Sequence, residues 1–201
     1  MQTVHLAVYD TLADWEYGYL AAGVNNPEFQ RTPGEFRIQT VGATADPITT
    51  LGGVTITPDI ALDDVDPAAS AMLVLPGAQT WDSGNDEFID TARRFLDAGI
   101  PVAAICGATV GLARGGLLDN RAHTSNAPQQ LAATGYCGAD RYLDLAAVTD
   151  REVITAGAVA PIEFAREVFA RLGVYDDAVL DAWYRLYAHH DPAGFLALGQ
   201  Q

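Results

Sequence analysis

Lysine is absent from this 201-residue chain: its eleven basic residues are all arginine, against 26 acidic ones, for a formal net charge of −15. A surface of that sign repels phosphate backbones, so nucleic acid is excluded as an expected partner. Cysteine is scarce. Cys106 and Cys137 offer neither a disulfide framework nor a Cys-x-x-Cys pair, which fits a reducing, cytoplasmic setting. No stretch reaches the ~18 apolar residues of a membrane span, so no membrane partner is expected. The opening Met-Gln-Thr-Val-His has no basic n-region, and no secretory signal is expected. No Gly-x-Gly-x-x-Gly opens a helix pattern, and Gly52-Gly53 reads as turn chemistry; no cofactor is implied. Repeats, linkers and low-complexity tracts are also missing. With 49% hydrophobic residues, the chain reads as one domain over residues 1–201.

What is present alternates. Apolar strand runs at Val4–Tyr9, Phe36–Val41 and Ala71–Leu75 are interleaved with helix patterns at Asp14–Gly23 and Glu87–Ala98. Ile48–Thr57 reads as a hairpin around Leu51-Gly52-Gly53, and Leu145–Ala156 as a second one with its tip near Thr149–Glu152. A short strand is predicted around Arg121–Ser125, a helix from about Pro128, and two closing helices at Ile162–Leu172 and Ala178–Ala188. Such alternation predicts an α/β fold: a doubly wound, flavodoxin-like, mostly parallel sheet in an α/β/α sandwich.

The most informative segment is Ile100–Ala108. A buried strand ends at Ile105, and a helix pattern begins directly after Cys106. Strand, tight turn and helix in that order are the logic of a nucleophile elbow, here with Cys in place of Ser. A helix starting at Gly107 directs its free N–H groups at the sulfur, predicting a depressed thiol pKa. The alternative for Cys106 is a buried structural thiol. Ligands of doubly wound sheets sit at the carboxyl ends of strands. There the Pro76-Gly77-Ala78 turn offers backbone N–H groups for an oxyanion hole with Gly107, and Asp14-Trp15-Glu16 opens the first helix.

Ala104–Ala108, the following Gly116–Arg121, the Leu75-Pro76-Gly77 turn, Glu16 and Pro161–Ala165 together resemble the ThiJ/PfpI family, of the class I glutamine amidotransferase-like superfamily. The resemblance spans about residues 3 to 175. It implies that Cys106 is the reactive thiol and Glu16 its hydrogen-bonded neighbour. A carboxyl beside a thiolate should hold its proton longer than a free Glu and donate to the sulfur. Two departures stand out. Peptidase-like members carry a His directly after the Cys, where this chain has Gly107, and others carry one where this chain has Asn126.

His123 is the remaining general-base candidate; its alternative is a structural His bonded to a backbone carbonyl. Asn126 is a candidate site-lining amide, and Trp81 either walls the cleft or is a surface-anchoring aromatic. His189-His190-Asp191 reads as a frayed polar helix end and not a metal site; no metal is expected. Trp15, Tyr17, Tyr19 and Leu20 offer apolar surface for a homodimer with Glu16 near its interface. The expected function is a cysteine-dependent hydrolase or lyase acting on a small carbonyl, aldehyde or amide compound. Alternatives are a redox-sensing stress-response protein whose oxidised Cys106 is stabilised by Glu16, and an amidotransferase-type transferase.

Overall fold

The computed structural model describes residues 1–199. In chain order the elements are β1 (Gln2–Ala7), α1 (Gly18–Asn25), β2 (Phe36–Gly42), β3 (Ile48–Thr49), β4 (Thr55–Ile56), β5 (Ile60–Ala61), β6 (Ser70–Leu75), α2 (Asp86–Asp97), β7 (Val102–Ile105), α3 (Gly107–Arg114), α4 (Pro128–Ala132), β8 (Ala147–Asp150), β9 (Val153–Ala156), α5 (Pro161–Leu172), α6 (Asp177–His189) and α7 (Pro192–Leu198). Seven strands form one sheet in the order β5-β2-β1-β6-β7-β9-β8. All neighbours run parallel except β8, which returns antiparallel on β9. The predicted α/β architecture is the one observed, and both predicted hairpins form, β3–β4 as a separate two-stranded ribbon.

Composition explains the layers. Every residue of β7 is buried, and so is nearly all of β1 and β6, as expected of parallel strands covered on both faces. Helix α2 turns Phe88, Ile89, Ala92 and Phe95 inward at helical spacing, with Asp86 and Glu87 in its first turn and Arg94 in its last. Helix α5 starts on Pro161 and ends at Gly173, whose φ of 67° is the left-handed cap that glycine adopts freely.

Three predictions differ, the first two because backbone groups bond sideways instead of along a helix or ladder. The first helix begins at Gly18, not Asp14. Thr11 N–H donates to Thr49 O (2.8 Å), Ala13 N–H to Gly77 O (2.9 Å), and Asp14 Oδ2 accepts from Gly52 N–H (2.7 Å). Residues 11–16 are thereby clamped between the β3–β4 ribbon and the turn after β6, and Glu16 lies in this clamp, ahead of the helix. Residues 121–125 form no strand. They make one bridge, His123 to Tyr142, and Thr124 N–H is diverted to the Thr155 hydroxyl at 2.9 Å. Finally, the chain does not fray at His189–Asp191. His190, with φ 54°, ends α6, and Asp191 caps α7 by accepting from Ala193 N–H at 2.9 Å while Arg185 holds its other oxygen. The overlooked signal is Asp191-Pro192, an N-cap followed by a first-turn proline.

Candidate active site

Cys106 sits between β7 and α3 with φ 59° and ψ −127°. Its N–H extends the sheet to Ala156 O (3.0 Å), and its carbonyl accepts from Thr109 N–H (3.1 Å) and Oγ1 (2.6 Å). Thr109 Oγ1 is itself bonded to Ser125 Oγ at 2.6 Å, which ties the turn to the 121–126 segment. From that segment Asn126 Nδ2 donates to Cys106 Sγ at 3.4 Å, while Asn126 Oδ1 accepts from Ala158 N–H at 2.8 Å. The amide is held at both ends, so its N–H is aimed at sulfur.

Glu16 approaches from the other side. It is 1% exposed, and its Oε2 accepts the Gly77 N–H at 2.6 Å. Among the described residues its Oε1 is buried with no hydrogen-bond partner. Gly77 lies between the two groups: a Cβ there would stand 2.7 Å from Glu16 Oε2, 2.7 Å from Cys106 Cβ and 2.9 Å from Cys106 Sγ. Only a residue without a side chain lets carboxyl and sulfur share that face. Gly107 is similarly close-packed, with Ala78 O at 3.1 Å and Trp81 Cβ at 3.2 Å from the place of a Cβ.

The electrostatics differ from expectation in one half of the pair. Burial raises the Glu16 carboxyl, opposed by the Gly77 N–H and by Cys106. Its reluctance to ionise is as expected, though burial is the main cause. The Cys106 thiol, expected low, is pushed up to about 11, by burial first and then by the Glu16 charge. The Asn126 amide and the Gly107 N–H pull it down and are outweighed. Two buried acids therefore compete for one negative charge.

Several sequence candidates take other places. His123 is fully buried. Its Nδ1 lies 2.8 Å from Arg121 O and must donate there, leaving Nε2 to accept from Tyr136 OH at 3.1 Å. Edge-on contacts to Tyr136 and Tyr142 complete its packing. With both ring nitrogens bound elsewhere, His123 is a structural histidine and not the base for Cys106. Trp81, 1% exposed, does not wall the cleft; its Nε1 donates beneath the site to Tyr9 OH and Pro76 O, both at 3.0 Å. Of the three expected oxyanion donors, Gly77 N–H is occupied by Glu16 and Gly107 N–H acts on sulfur, whereas Ala78 N–H makes no bond within the described residues. Cys137 is exposed, its N–H bonded to Asp119 Oδ1 (2.9 Å). Among the described residues no group of three or more His, Cys, Asp or Glu is placed to hold a metal ion. Nor is any helix long and apolar enough to cross a membrane.

Sequence reasoning overlooked Tyr9 and the Thr109–Ser125 pair. Tyr9 had a signal, a hydroxyl at the carboxyl end of a buried strand. Its partner, Pro76, is 67 residues away.

Known proteins place this geometry in a family. Residues 2–171 match the DJ-1/PfpI family. The chain is 40% identical to a Bacillus subtilis protein named uncharacterized protease YoaZ, over 98% of this chain and 97% of that one. A crystal structure of a ThiJ/PfpI family protein from Bacillus anthracis superposes with a TM-score of 0.94 at 39% identity, covering 100% of this chain and 97% of the other. A DJ-1 superfamily protein from Agrobacterium tumefaciens follows at 0.84 and 32%, covering 95% and 100%. By sequence and by fold alike, the chain belongs to the DJ-1/PfpI family.

Proposed function

We propose that this protein is a cysteine-dependent hydrolase or lyase of small carbonyl, aldehyde or amide compounds, with Cys106 as nucleophile and Glu16 as its acid and base. The whole chain, residues 1–201, acts as one domain in the cytoplasm. The observation that carries the reading is the placement of sulfur and carboxyl against one face of Gly77, with the Asn126 amide on the sulfur. A carboxylate raised by burial is a better base near neutral pH than an exposed one. As Sγ attacks the carbonyl carbon, the S–C bond forms, the C=O π bond breaks, and the thiol proton moves to Glu16. Charge gathers on the carbonyl oxygen, toward the Ala78 N–H. Glu16 then returns the proton: to that oxygen for an aldehyde, which leaves a reversible hemithioacetal on Cys106, or to the leaving amine for an amide, as the C–N bond breaks and the C=O re-forms. In the amide case water releases the acyl group from sulfur.

The test is turnover of a panel of small aldehydes, amides and esters. Cys106→Ala is expected to lose at least ~10³-fold. Turnover equal to that of the unaltered protein in this variant overturns the reading.

A redox role keeps one specific support: in its protonated form, which burial favours, Glu16 can donate from its unpartnered Oε1 to an oxidised sulfur. The proposal also includes a homodimer. Trp15 and Tyr19, 52% and 37% exposed beside Glu16, supply apolar surface for it. Light scattering at micromolar concentration is expected to give twice the chain mass; a mass of 21.3 kDa removes the homodimer.

A further inference from the structure

Beneath the Cys106–Glu16 pair, two buried side chains converge on one peptide group. Trp81 Nε1 donates to the Tyr9 hydroxyl and to the Pro76 carbonyl, each at 3.0 Å, and the Tyr9 hydroxyl donates to that same carbonyl. The peptide carrying this carbonyl carries on its other side the Gly77 N–H, which donates to Glu16 Oε2 at 2.6 Å. Tyr9 and Trp81 are 5% and 1% exposed, and neither is bonded to Glu16 or to the sulfur. Both are rigidly placed. Their rings meet edge-on at 5.5 Å, and Tyr9 packs edge-on against Phe88 at 5.1 Å.

Hydrogen bonds in series polarise one another. A carbonyl oxygen that already accepts two donors draws charge through its amide, and the N–H of that amide becomes a stronger donor. Here the strengthened N–H is the partner of the Glu16 carboxylate. Holding Glu16 ionised keeps a like charge beside Cys106 and so keeps the sulfur protonated.

We propose that Tyr9, together with Trp81, is a positioning residue that sets, through the Pro76–Gly77 peptide, which of Glu16 and Cys106 carries the negative charge. The inference rests on the reading of Cys106 and Glu16 as the working pair. The titratable groups facing the pair are Tyr9, from the segment just after β1, and the two members themselves; Asn126 and Gly107 add uncharged donors. Burial raises the Tyr9 hydroxyl well above its ordinary value, so it remains a donor throughout the working range.

The experiment is the pH profile of Cys106 alkylation by iodoacetamide, read by peptide mass spectrometry with exposed Cys137 as internal reference. Tyr9→Phe weakens the Gly77 N–H, so Glu16 keeps its proton to higher pH and the thiolate forms at lower pH. The expected result is alkylation about threefold faster at pH 7, with the midpoint moved down. In the Glu16→Gln background the same Tyr9→Phe change is expected to have no effect, because no carboxyl remains to transmit it. Trp81→Phe, which removes one donor from the same carbonyl, is expected to shift the profile in the same direction and serves if Tyr9→Phe does not fold. An unmoved midpoint accompanied by a lower Tm overturns the proposal, and so does a shift that persists without the Glu16 carboxyl. Alkylation is independent of turnover. A protein that shows these shifts yet turns over no carbonyl compound retains this coupling and loses only the proposed enzymatic activity.

Discussion

Glu16→Gln is expected to make Cys106 more reactive and the protein less active. Burial first, then the Glu16 charge and the Glu16 hydrogen bond, hold the thiol near 11, and this substitution removes the charge while leaving the burial. Iodoacetamide should therefore label Cys106 about tenfold faster at pH 7, one unit of pKa being a factor of ten in thiolate. Turnover should fall ~10²–10⁴-fold, because the group that takes and returns the proton is gone. The opposite movement is the signature; if both quantities fall together, Glu16 merely braces the turn at Gly77. The sign is the reverse of what a carboxyl that only donates to a thiolate gives, since loss of such a donor makes the thiol weaker. Stability follows the same group. The buried Glu16 carboxyl titrates above its ordinary 4.5 in the folded chain, so its contribution is intact below that value and is lost as pH rises through the raised one. Melting temperatures of the Gln variant should lack this decline.

The second large effect is steric. Gly77→Ala inserts a methyl 2.7 Å from Glu16 Oε2, 2.7 Å from Cys106 Cβ and 2.9 Å from its sulfur. None of these can retreat easily: Cys106 is tied to Ala156 and Thr109, and Glu16 is buried in the loop clamped to the β3–β4 ribbon. Overpacking of this kind costs about 1–3 kcal/mol. Separating the two groups by even an ångström should cost turnover on the order of 10²-fold. Thermal melts and kcat/KM measure the two losses. Gly107→Ala, whose new methyl would meet neighbours at 3.1 and 3.2 Å, is the milder comparison. Wild-type kcat/KM in Gly77→Ala would refute the pairing of sulfur and carboxyl across this residue.

The fold was readable because burial writes itself into short apolar runs: Met72–Leu75 and Val102–Ile105 have no solvent face and show no alternation. The turn at Cys106 was readable for the same reason, since the run stops there and helix spacing starts. What stayed hidden depends on partners distant in sequence. A periodic pattern carries no sign that Asp14 will hold Gly52, so Glu16 was placed on a helix it precedes. His123 is the histidine the sequence leaves near the thiol once Gly107 and Asn126 occupy the other two positions, and linear order carries no sign of where its ring points. Only the folded chain shows its ring enclosed by Arg121, Tyr136 and Tyr142. The thiol was misjudged for a related reason. Helix N–H groups are visible in a sequence, whereas the depth of burial that outweighs them is not.

The backbone of Cys106 has a consequence for how the site can be studied. A φ of 59° with ψ of −127° is a conformation in which glycine rests easily and any residue with a Cβ is strained, at roughly 1–3 kcal/mol. The fold thus holds its thiol at a position where its own stability would favour no side chain at all. Alanine at 106 inherits that strain and subtracts only the sulfur, whereas glycine relieves it and tightens the scaffold around an empty site. A comparison of the two separates the conformational load of the turn from the chemistry of the atom it presents.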